Sequence, residues 1–296
     1  MDVSSVRTIA RRKPGYPRLL SELHDPPATL FVRGDAGSLS EPGVAVVGAR
    51  SCSAYGAQVA RSLARELASV GLVVVSGLAR GIDGEAHRGA LEGGGRTVAV
   101  LGCGIDRDYP RSHAELARRI VTSGAVVSEY ASGVEPAPWR FPARNRIIAG
   151  LSLATVVVEA RERSGALITA DFALELGREV FAVPGEITSG LSAGTNDLLR
   201  QGAAPLTAVR DVLDALGIEP EPAAGVSSVS DAAVAVLSIL DDGACGADEL
   251  TRTTGLSSAE VAAALVELEL GGLAAQADGV YRSFSLGRSR GARRLA

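Results

Sequence analysis

Short apolar runs alternate with stretches of helical periodicity through the first two thirds of the chain. Residues 44–47 form an uninterrupted apolar run of the kind that a strand buried on both faces requires. Apolar residues then recur at helical spacing from 59 to 70, Gly71 stands where a left-handed helix cap is expected, and a second apolar run occupies 72–75. This pattern predicts a strand, a helix and a second strand parallel to the first.

The same alternation continues to about residue 217. It predicts an open, doubly wound, mostly parallel α/β sheet of six strands over 43–217. The four further strands are expected at 97–101, 125–128, 155–159 and 179–183.

The segments outside this sheet have other patterns. Residues 1–42 are expected to be a lead-in that packs on the edge of the sheet, and 218–230, with Pro, Gly and Ser, are typical of a linker. The pattern over 231–285 predicts three helices followed by a two-stranded wing, and this combination is typical of a small winged-helix domain. Residues 286–296 predict a basic, disordered tail.

Composition and charge narrow the possible functions. The 296 residues are 46% hydrophobic, enough for the cores of two domains. A net charge of −4 argues against a protein that coats nucleic acid by bulk charge, but it leaves room for a local basic groove. Lys13 is the single lysine, so a site for phosphate must use arginine or backbone N–H groups.

The cysteines and the hydropathy of the chain indicate the cellular compartment in which the protein is expected. The three cysteines are far apart in the sequence and odd in number, which predicts neither a disulfide framework nor a zinc site. The N-terminus lacks an apolar signal core, and no apolar run approaches membrane-spanning length. We therefore expect a cytoplasmic protein without a membrane partner.

Glycine-rich turns follow the first two predicted strands, at the edge where doubly wound sheets bind ligands. The first turn carries Arg50 and Ser51, and the second begins at Ser76 and Gly77 and includes Arg80. Both suit a phosphate group. The first turn is not G-x-G-x-x-G, and no acidic residue ends the second strand, so NAD or FAD binding is not expected and no cofactor is predicted.

The segment after the fourth predicted strand concentrates aromatic residues and arginines. Tyr130, Trp139 and Phe141 fall within twelve residues, and they are interleaved with arginines in what the pattern predicts to be a long loop. Stacking surfaces beside phosphate clamps are typical of single-stranded nucleic acid binding. A hydrophobic plug with solvated arginines explains the same residues equally well, but the position at the ligand-binding edge favours function. The polar residues concerned are Arg140, Arg144, Asn145 and Arg146.

Two further features have a structural and a functional interpretation. Ser164 and Gly165 begin a predicted helix whose N–H groups could bind phosphate, although an ordinary strand–helix turn explains them nearly as well. Ser76, Asp83 and His87 contain the residue types of a hydrolytic triad, but no G-x-S-x-G turn surrounds the serine and Asp83 is a ready helix cap. We predict no nucleophile.

Seven segments in order resemble the DNA-processing protein A family, also called DprA or Smf, over about 15–210. They are VGARSCSAYG, SGLARGIDGEAHRGAL, VLGCGIDRDYP, SEYASG, FPARNRIIAGLS, VVVEARERSGALITADFALELGREVFAVPG and GTNDLLRQGA. The resemblance implies an extended Rossmann-like domain that binds and protects single-stranded DNA and forms homodimers. It also implies loading of the RecA recombinase during natural transformation and recombination, without a clear catalytic activity.

The resemblance also implies a DNA-binding pocket. Arg50, Phe141, Arg144 and Arg146 would line it, with Ser76, Gly77 and Ser164 in support. Together with the turn residues above, the predicted DNA-binding set is Arg50, Ser51, Ser76, Gly77, Arg80, Arg140, Phe141, Arg144, Asn145, Arg146, Ser164 and Gly165. The chain departs from many members in having almost no room for an N-terminal helical domain and in using arginine where they use lysine.

Two other classes of function are weighed against this one. An enzyme similar to LOG-type phosphoribohydrolases needs a PGGxGTxxE turn, and this chain has RSGALITADFALE at the comparable place. A transcription regulator would read duplex DNA through the helix predicted at 258–270, but that helix has three glutamates and no lysine or arginine.

Overall fold

The computed structural model describes residues 5–219, 230–241, 243–271, 273–277 and 279–283. The chain separates into two compact units, one up to residue 221 and one from residue 222 onward. Most of the predicted linker, 220–229, and the whole predicted tail, 286–296, lie outside the described residues.

A nine-stranded sheet organises the first unit. Its strands are β1 Arg7–Ala10, β2 Thr29–Gly34, β3 Gly43–Val47, β4 Val73–Ser76, β5 Thr97–Leu101, β6 Ala125–Ser128, β7 Ala154–Val157, β8 Glu179–Ala182 and β9 Ala204–Pro205. The spatial order is β1-β2-β6-β5-β4-β3-β7-β8-β9. All neighbours from β6 to β9 pair in parallel, whereas β2 pairs antiparallel with both β1 and β6. The prediction of a mostly parallel, doubly wound sheet is confirmed.

Six α-helices connect these strands, and a seventh follows β9. They are α1 Ala54–Ser69, α2 Ile82–Glu92, α3 Ala114–Ser123, α4 Arg140–Gly150, α5 Gly165–Glu175, α6 Ala193–Arg200 and α7 Val209–Ala215. Ser53 caps α1 by accepting a hydrogen bond from the Gly56 N–H, and Gly71 follows its end with a φ of 85°, as predicted. Local signals therefore fix where this helix begins and ends.

Alternating side chains of the central strands bury themselves on opposite faces of the sheet. On β5, Val98 and Val100 join the apolar cluster that contains Ile147 of α4. Ala99 and Leu101 join the other cluster, which contains Ile120 of α3. Because strand side chains have a period of two, a continuous apolar run is what a strand covered on both faces requires.

The structure differs from the predicted elements at two places. It adds β1, β2 and β9, which the apolar pattern did not show because β1 buries one residue and β9 has only two. It also replaces the second half of the predicted loop after β6 by α4. Pro142 and the polar residues around it hid this helix, although proline is tolerated in a first turn because the N–H groups there have no partner within the helix.

The second unit contains three helices and a hairpin. Its elements are α8 Asp231–Leu240, α9 Ala247–Thr254, α10 Ser258–Leu270, β10 Ala274–Ala277 and β11 Val280–Ser283. The two strands pair antiparallel, and Leu237, Leu250, Leu265 and Leu268 belong to its own apolar core. The predicted winged-helix arrangement is confirmed. No helix in the described part of the chain is long and apolar enough to cross a membrane.

Candidate nucleic-acid interface

A cleft opens where the order of the sheet reverses. From β3 the chain builds the sheet toward β6 on one side and then, after β7, toward β9 on the other, so β3 and β7 flank the switch point at which such sheets bind ligands. The cleft has a volume of about 240 Å³. It is lined by residues that follow β3 and β4 and by the first turns of α4 and α5.

Phe141 lies at the boundary between this cleft and a second, smaller one beside it. Its ring stacks on Tyr109, with 5.3 Å between the ring centroids and an angle of 29° between their planes. The Cζ of Arg50 lies 5.3 Å from the Phe141 centroid, within cation–π distance. Arg80 lines the second cleft as well. An aromatic surface and two guanidinium groups are thereby brought together from four separate parts of the sequence.

Arg144 forms a buried, positively charged floor under both clefts. It is 3% exposed, and its Nη1 donates to the carbonyls of Gly77, at 2.8 Å, and Val100. Burial lowers the pKa of Arg144 to about 10, against the attraction of Asp83. A Cβ on Gly77 would lie 2.5 Å from the guanidinium nitrogens, so a larger residue there would displace the Arg144 side chain from its carbonyl partners.

Asp83 balances that charge from the start of α2. Its carboxylate accepts hydrogen bonds from the N–H groups of Gly77, at 3.1 Å, and Ala79, at 3.4 Å. Burial raises the pKa of Asp83, while Arg144 and the two N–H donors act in the opposite direction. The carboxylate therefore fixes the turn after β4, on which Arg80 lies.

The N-terminus of α5 faces the cleft from the other side. Ser164 accepts a hydrogen bond from the Ala166 N–H at 3.3 Å, and Asn145 donates to the Gly165 carbonyl at 2.8 Å. Nothing lies within 4 Å of where a Gly165 Cβ would stand. An exposed helix N-terminus of this kind favours an anion.

The structure brings most of the predicted DNA-binding residues to the two clefts. Their linings include Arg50, Gly77, Arg80, Phe141, Arg144, Asn145, Ser164 and Gly165. Ser51 is exposed on the turn after β3 but lines neither cleft. Arg140 packs against Tyr130 and Trp139 instead.

Two predicted pocket residues point elsewhere. Ser76 is fully buried, and its hydroxyl donates to the Val46 carbonyl at 2.7 Å. Arg146 donates to both carboxylate oxygens of Glu129, at 2.9 and 2.7 Å. Because residues two apart on a helix do not share a face, Arg146 cannot follow Arg144 into the cleft. The prediction that Arg146 lines the pocket treated this segment as a loop, and the helix separates the two side chains.

The candidate triad is not assembled. The Ser76 hydroxyl is engaged with a backbone carbonyl, and the His87 Nδ1 is 2.7 Å from the Thr97 hydroxyl. Burial lowers the pKa of His87 to about 3, so the ring is neutral at physiological pH. The contacts of Ser76 and His87 agree with their structural interpretation. The expected helix cap at Asp83 is wrong, because Gly81 occupies the N-cap of α2 and the Asp83 carboxylate accepts from the N–H groups of Gly77 and Ala79 in the preceding turn. The place of Asp83 directly after a glycine-rich turn was the available signal for its role in fixing that turn.

Comparison with known proteins identifies the family. Residues 7–217 match the family model described as DNA recombination-mediator protein A, and 219–279 match the DprA winged helix domain. The chain belongs to the DNA recombination-mediator protein A family. The predicted resemblance to DprA and Smf proteins is thereby confirmed.

Relatives of known sequence support this DprA assignment over most of the chain. DNA processing protein DprA of Streptococcus pneumoniae is 48% identical over 198 residues, which are 67% of this chain and 70% of that protein. Protein Smf of Escherichia coli is 42% identical over 277 residues, which are 90% of this chain and 74% of that protein. The second match extends through the winged-helix unit.

Solved DprA structures share the fold of the first unit. The structure of the Streptococcus pneumoniae protein matches with a TM-score of 0.69 and 45% identity, covering 72% of this chain and 75% of that one. A Helicobacter pylori structure, described for the single-stranded DNA binding mode of DNA processing protein A, matches with a TM-score of 0.65 and 31% identity. It covers 72% of this chain and 95% of that one.

Proposed function

We propose that the two clefts bind single-stranded DNA. The observation that carries this proposal is the cluster of Phe141, Tyr109 and Arg50 at the switch point of the sheet, where an aromatic surface lies beside a guanidinium group. Aromatic rings that stack bases, combined with cations along the backbone path, are the general basis of single-strand binding without sequence preference. The Helicobacter pylori relative, described for its single-stranded DNA binding mode, supports the same conclusion.

The residues divide into three roles. Phe141 offers a stacking surface for an unpaired base, while Arg50 and Arg80, both exposed, offer forks for phosphate. The α5 N-terminus at Gly165 offers N–H groups to another phosphate. Arg144 is buried and its Nη1 is already engaged, so it contributes positive potential and holds Gly77 rather than clamping the strand.

A direct test compares single-stranded and double-stranded DNA of one sequence by fluorescence anisotropy. We expect tighter binding to the single strand, with little base preference, because a base in a duplex is unavailable for stacking on Phe141. The affinity should fall by about 0.7 log units per phosphate contact for each log unit of salt. Equal affinity for duplex, or an affinity that salt does not change, would contradict the proposal.

We further propose that this binding protects incoming DNA and that the protein loads RecA onto it during natural transformation and recombination. In this proposal the protein acts as a homodimer that forms through its first unit. Membership of the recombination-mediator family supports this role. It is tested by following RecA filament formation on single strands coated with single-strand-binding protein. Faster filament formation with the protein than without it is the expected result, and light scattering reports the oligomeric state.

We propose binding rather than catalysis for this site. Of the residues lining the larger cleft, Asp83 is the one carboxylate, and two backbone N–H groups hold it. A phosphoribohydrolase needs a positioned acid–base group, and the nearby carboxylates of α5, Asp171 and Glu175, do not line this cleft. Incubation with AMP should release no free base. Enzyme-dependent release would favour the LOG-type alternative.

A further inference from the structure

Trp139 is the single tryptophan of the chain, and it stands immediately before α4 with 62% of its surface exposed. Tryptophan is normally largely buried, so an exposed ring at a ligand-binding edge calls for an explanation. The Cζ of Arg140 lies 4.8 Å from the Trp139 ring centroid and 5.1 Å from the centroid of Tyr130. We call Tyr130, Trp139 and Arg140 together the tryptophan platform.

Arg140 holds this platform together rather than facing the solvent. Its Nη1 donates to the Glu135 carbonyl, and its Nε is buried without a hydrogen-bond partner among the described residues. The Arg140 guanidinium therefore packs against the rings of Trp139 and Tyr130. The contact with Arg140 favours one orientation of Trp139 before any ligand arrives, which reduces the entropic cost of binding.

We propose that the tryptophan platform is a second base-stacking site, which takes an unpaired base a few nucleotides along the same strand from the base on Phe141. This proposal rests on the proposed function. Trp139 and Phe141 are two residues apart and do not share a face of α4, so the strand must pass around the start of this helix to reach both rings. Their Cα atoms are separated by no more than about 7 Å. Stacked bases on one strand are about 3.4 Å apart, so a few nucleotides reach from one ring to the other.

The surroundings favour a nucleic-acid base over an apolar protein segment. Exposed cations, Arg50 and Arg80, stand beside Phe141 at the same edge of the sheet. The nearby carboxylate of Glu135 is paired with Arg107 at 2.7 Å, which reduces its repulsion of phosphate. Because every base has a π face, the platform would add affinity without adding sequence preference.

The single tryptophan gives a direct readout of this site. Oligothymidylates of about 4, 8 and 16 nucleotides are titrated into the full chain while Trp139 fluorescence and the anisotropy of a DNA label are recorded together. Stacking should quench the tryptophan in proportion to the bound fraction. An abasic oligonucleotide of equal length presents the phosphates alone, and it should bind without quenching.

Substitution separates stacking from charge. Trp139→Ala should weaken oligothymidylate binding roughly 5- to 150-fold, the loss of one stacked base, while affinity for the abasic strand changes less than twofold. Trp139→Phe should recover most of the affinity because it keeps a stacking face. Tyr55→Ala removes another exposed aromatic residue that lines neither cleft, and it should leave both affinities unchanged.

The outcomes distinguish this proposal from the one it rests on. If the wild-type chain binds oligothymidylate by anisotropy but Trp139 is not quenched, or if Trp139→Ala binds as tightly as wild type, the platform is not a base site and the proposed function stands. Equal losses for the abasic strand and for oligothymidylate would also overturn it, since they would indicate a change in phosphate contacts. If the wild-type chain binds no single strand, both proposals fail.

Discussion

At the scale of single residues, the site depends on side chains that the sequence places far apart. Phe141, Tyr109 and Arg50 meet only because the segments that follow β3, β5 and β6 begin at the same edge of the sheet. A Cβ on Gly102 would lie 2.9 Å from the Phe141 ring, so glycine at that position makes room for the aromatic side chain. The ring is half-buried, so part of its surface remains accessible to a ligand.

Phe141→Ala should weaken single-stranded DNA binding by about 1–3 kcal/mol, the usual loss of one base-stacking surface. Arg50→Ala should cost a similar amount through a lost charge-assisted phosphate contact. Anisotropy titrations beside thermal melts measure both effects. If the melting temperature of Phe141→Ala falls together with its DNA affinity, Phe141 acts mainly as a core residue. Arg50→Ala is the control for folding, because Arg50 is exposed and its loss should not change the melting temperature.

The sequence predicted which residues belong to the site better than it predicted where their side chains point. Phe141, Arg50 and the α5 turn were predicted from aromatic content, glycine-rich turns and the family resemblance, and the structure brings them together. Arg146 was grouped with them, yet it pairs with Glu129. The direction of a side chain depends on whether its segment is a helix, and Pro142 obscured that periodicity.

At the scale of elements, the tightest constraint is the contact between the turn after β4 and the buried guanidinium of α4. Gly77→Ala should place a methyl group 2.5 Å from the Arg144 nitrogens and displace the buried guanidinium from the carbonyls of Gly77 and Val100. We expect a loss of about 1–3 kcal/mol in the free energy of unfolding, as for other overpacked sites, measured by urea denaturation. DNA affinity should fall as well, because Ala79 and Arg80 lie on the same turn.

Gly165→Ala is the matched control at the other side of the cleft. No atom lies within 4 Å of its Cβ position, and alanine is about 0.5–1 kcal/mol more favourable than glycine within a helix. Unfolding stability should therefore stay the same or rise slightly. A destabilisation as large as that of Gly77→Ala would contradict the view that close packing, rather than backbone freedom, selects glycine at position 77.

The elements most reliably predicted were the ones whose burial is complete. The strands β3 to β7 are buried along their whole length and appear as continuous apolar runs. The edge strand β1 buries one of four residues, and it exists because β2 offers it backbone partners. Such pairing is a property of the assembled sheet, and a local hydrophobic pattern does not contain it.

At the scale of the whole molecule, each unit has its own apolar core, so their contributions to DNA binding can be tested separately. The helix of a winged-helix fold that enters the major groove must offer cations or hydrogen-bond donors to phosphates and bases. The candidate here is α10, whose charged residues are Glu260, Glu267 and Glu269. Its apolar residues Val261 and Leu265 belong to the core of the unit and cannot turn outward.

Two of these carboxylates are fixed by hydrogen bonds. Glu260 accepts from the N–H and hydroxyl of Ser257, and Glu267 accepts from the same groups of Ser230. These bonds lower the pKa values of both glutamates, so α10 keeps its negative charge at neutral pH. The helix would therefore repel a phosphate backbone.

A chain that ends near residue 217 should consequently keep most of its affinity for single-stranded DNA, and the isolated segment 228–296 should show no sequence preference on duplex DNA. Anisotropy with random and selected duplexes checks the second expectation, and circular dichroism confirms that each piece is folded. Reversing the charge on α10 by Glu269→Lys should increase duplex binding in a salt-dependent manner without creating specificity, because one added phosphate contact reads no base. Sequence-specific duplex binding by the isolated segment would instead favour the transcription-regulator alternative, since base readout by this unit is what that function requires.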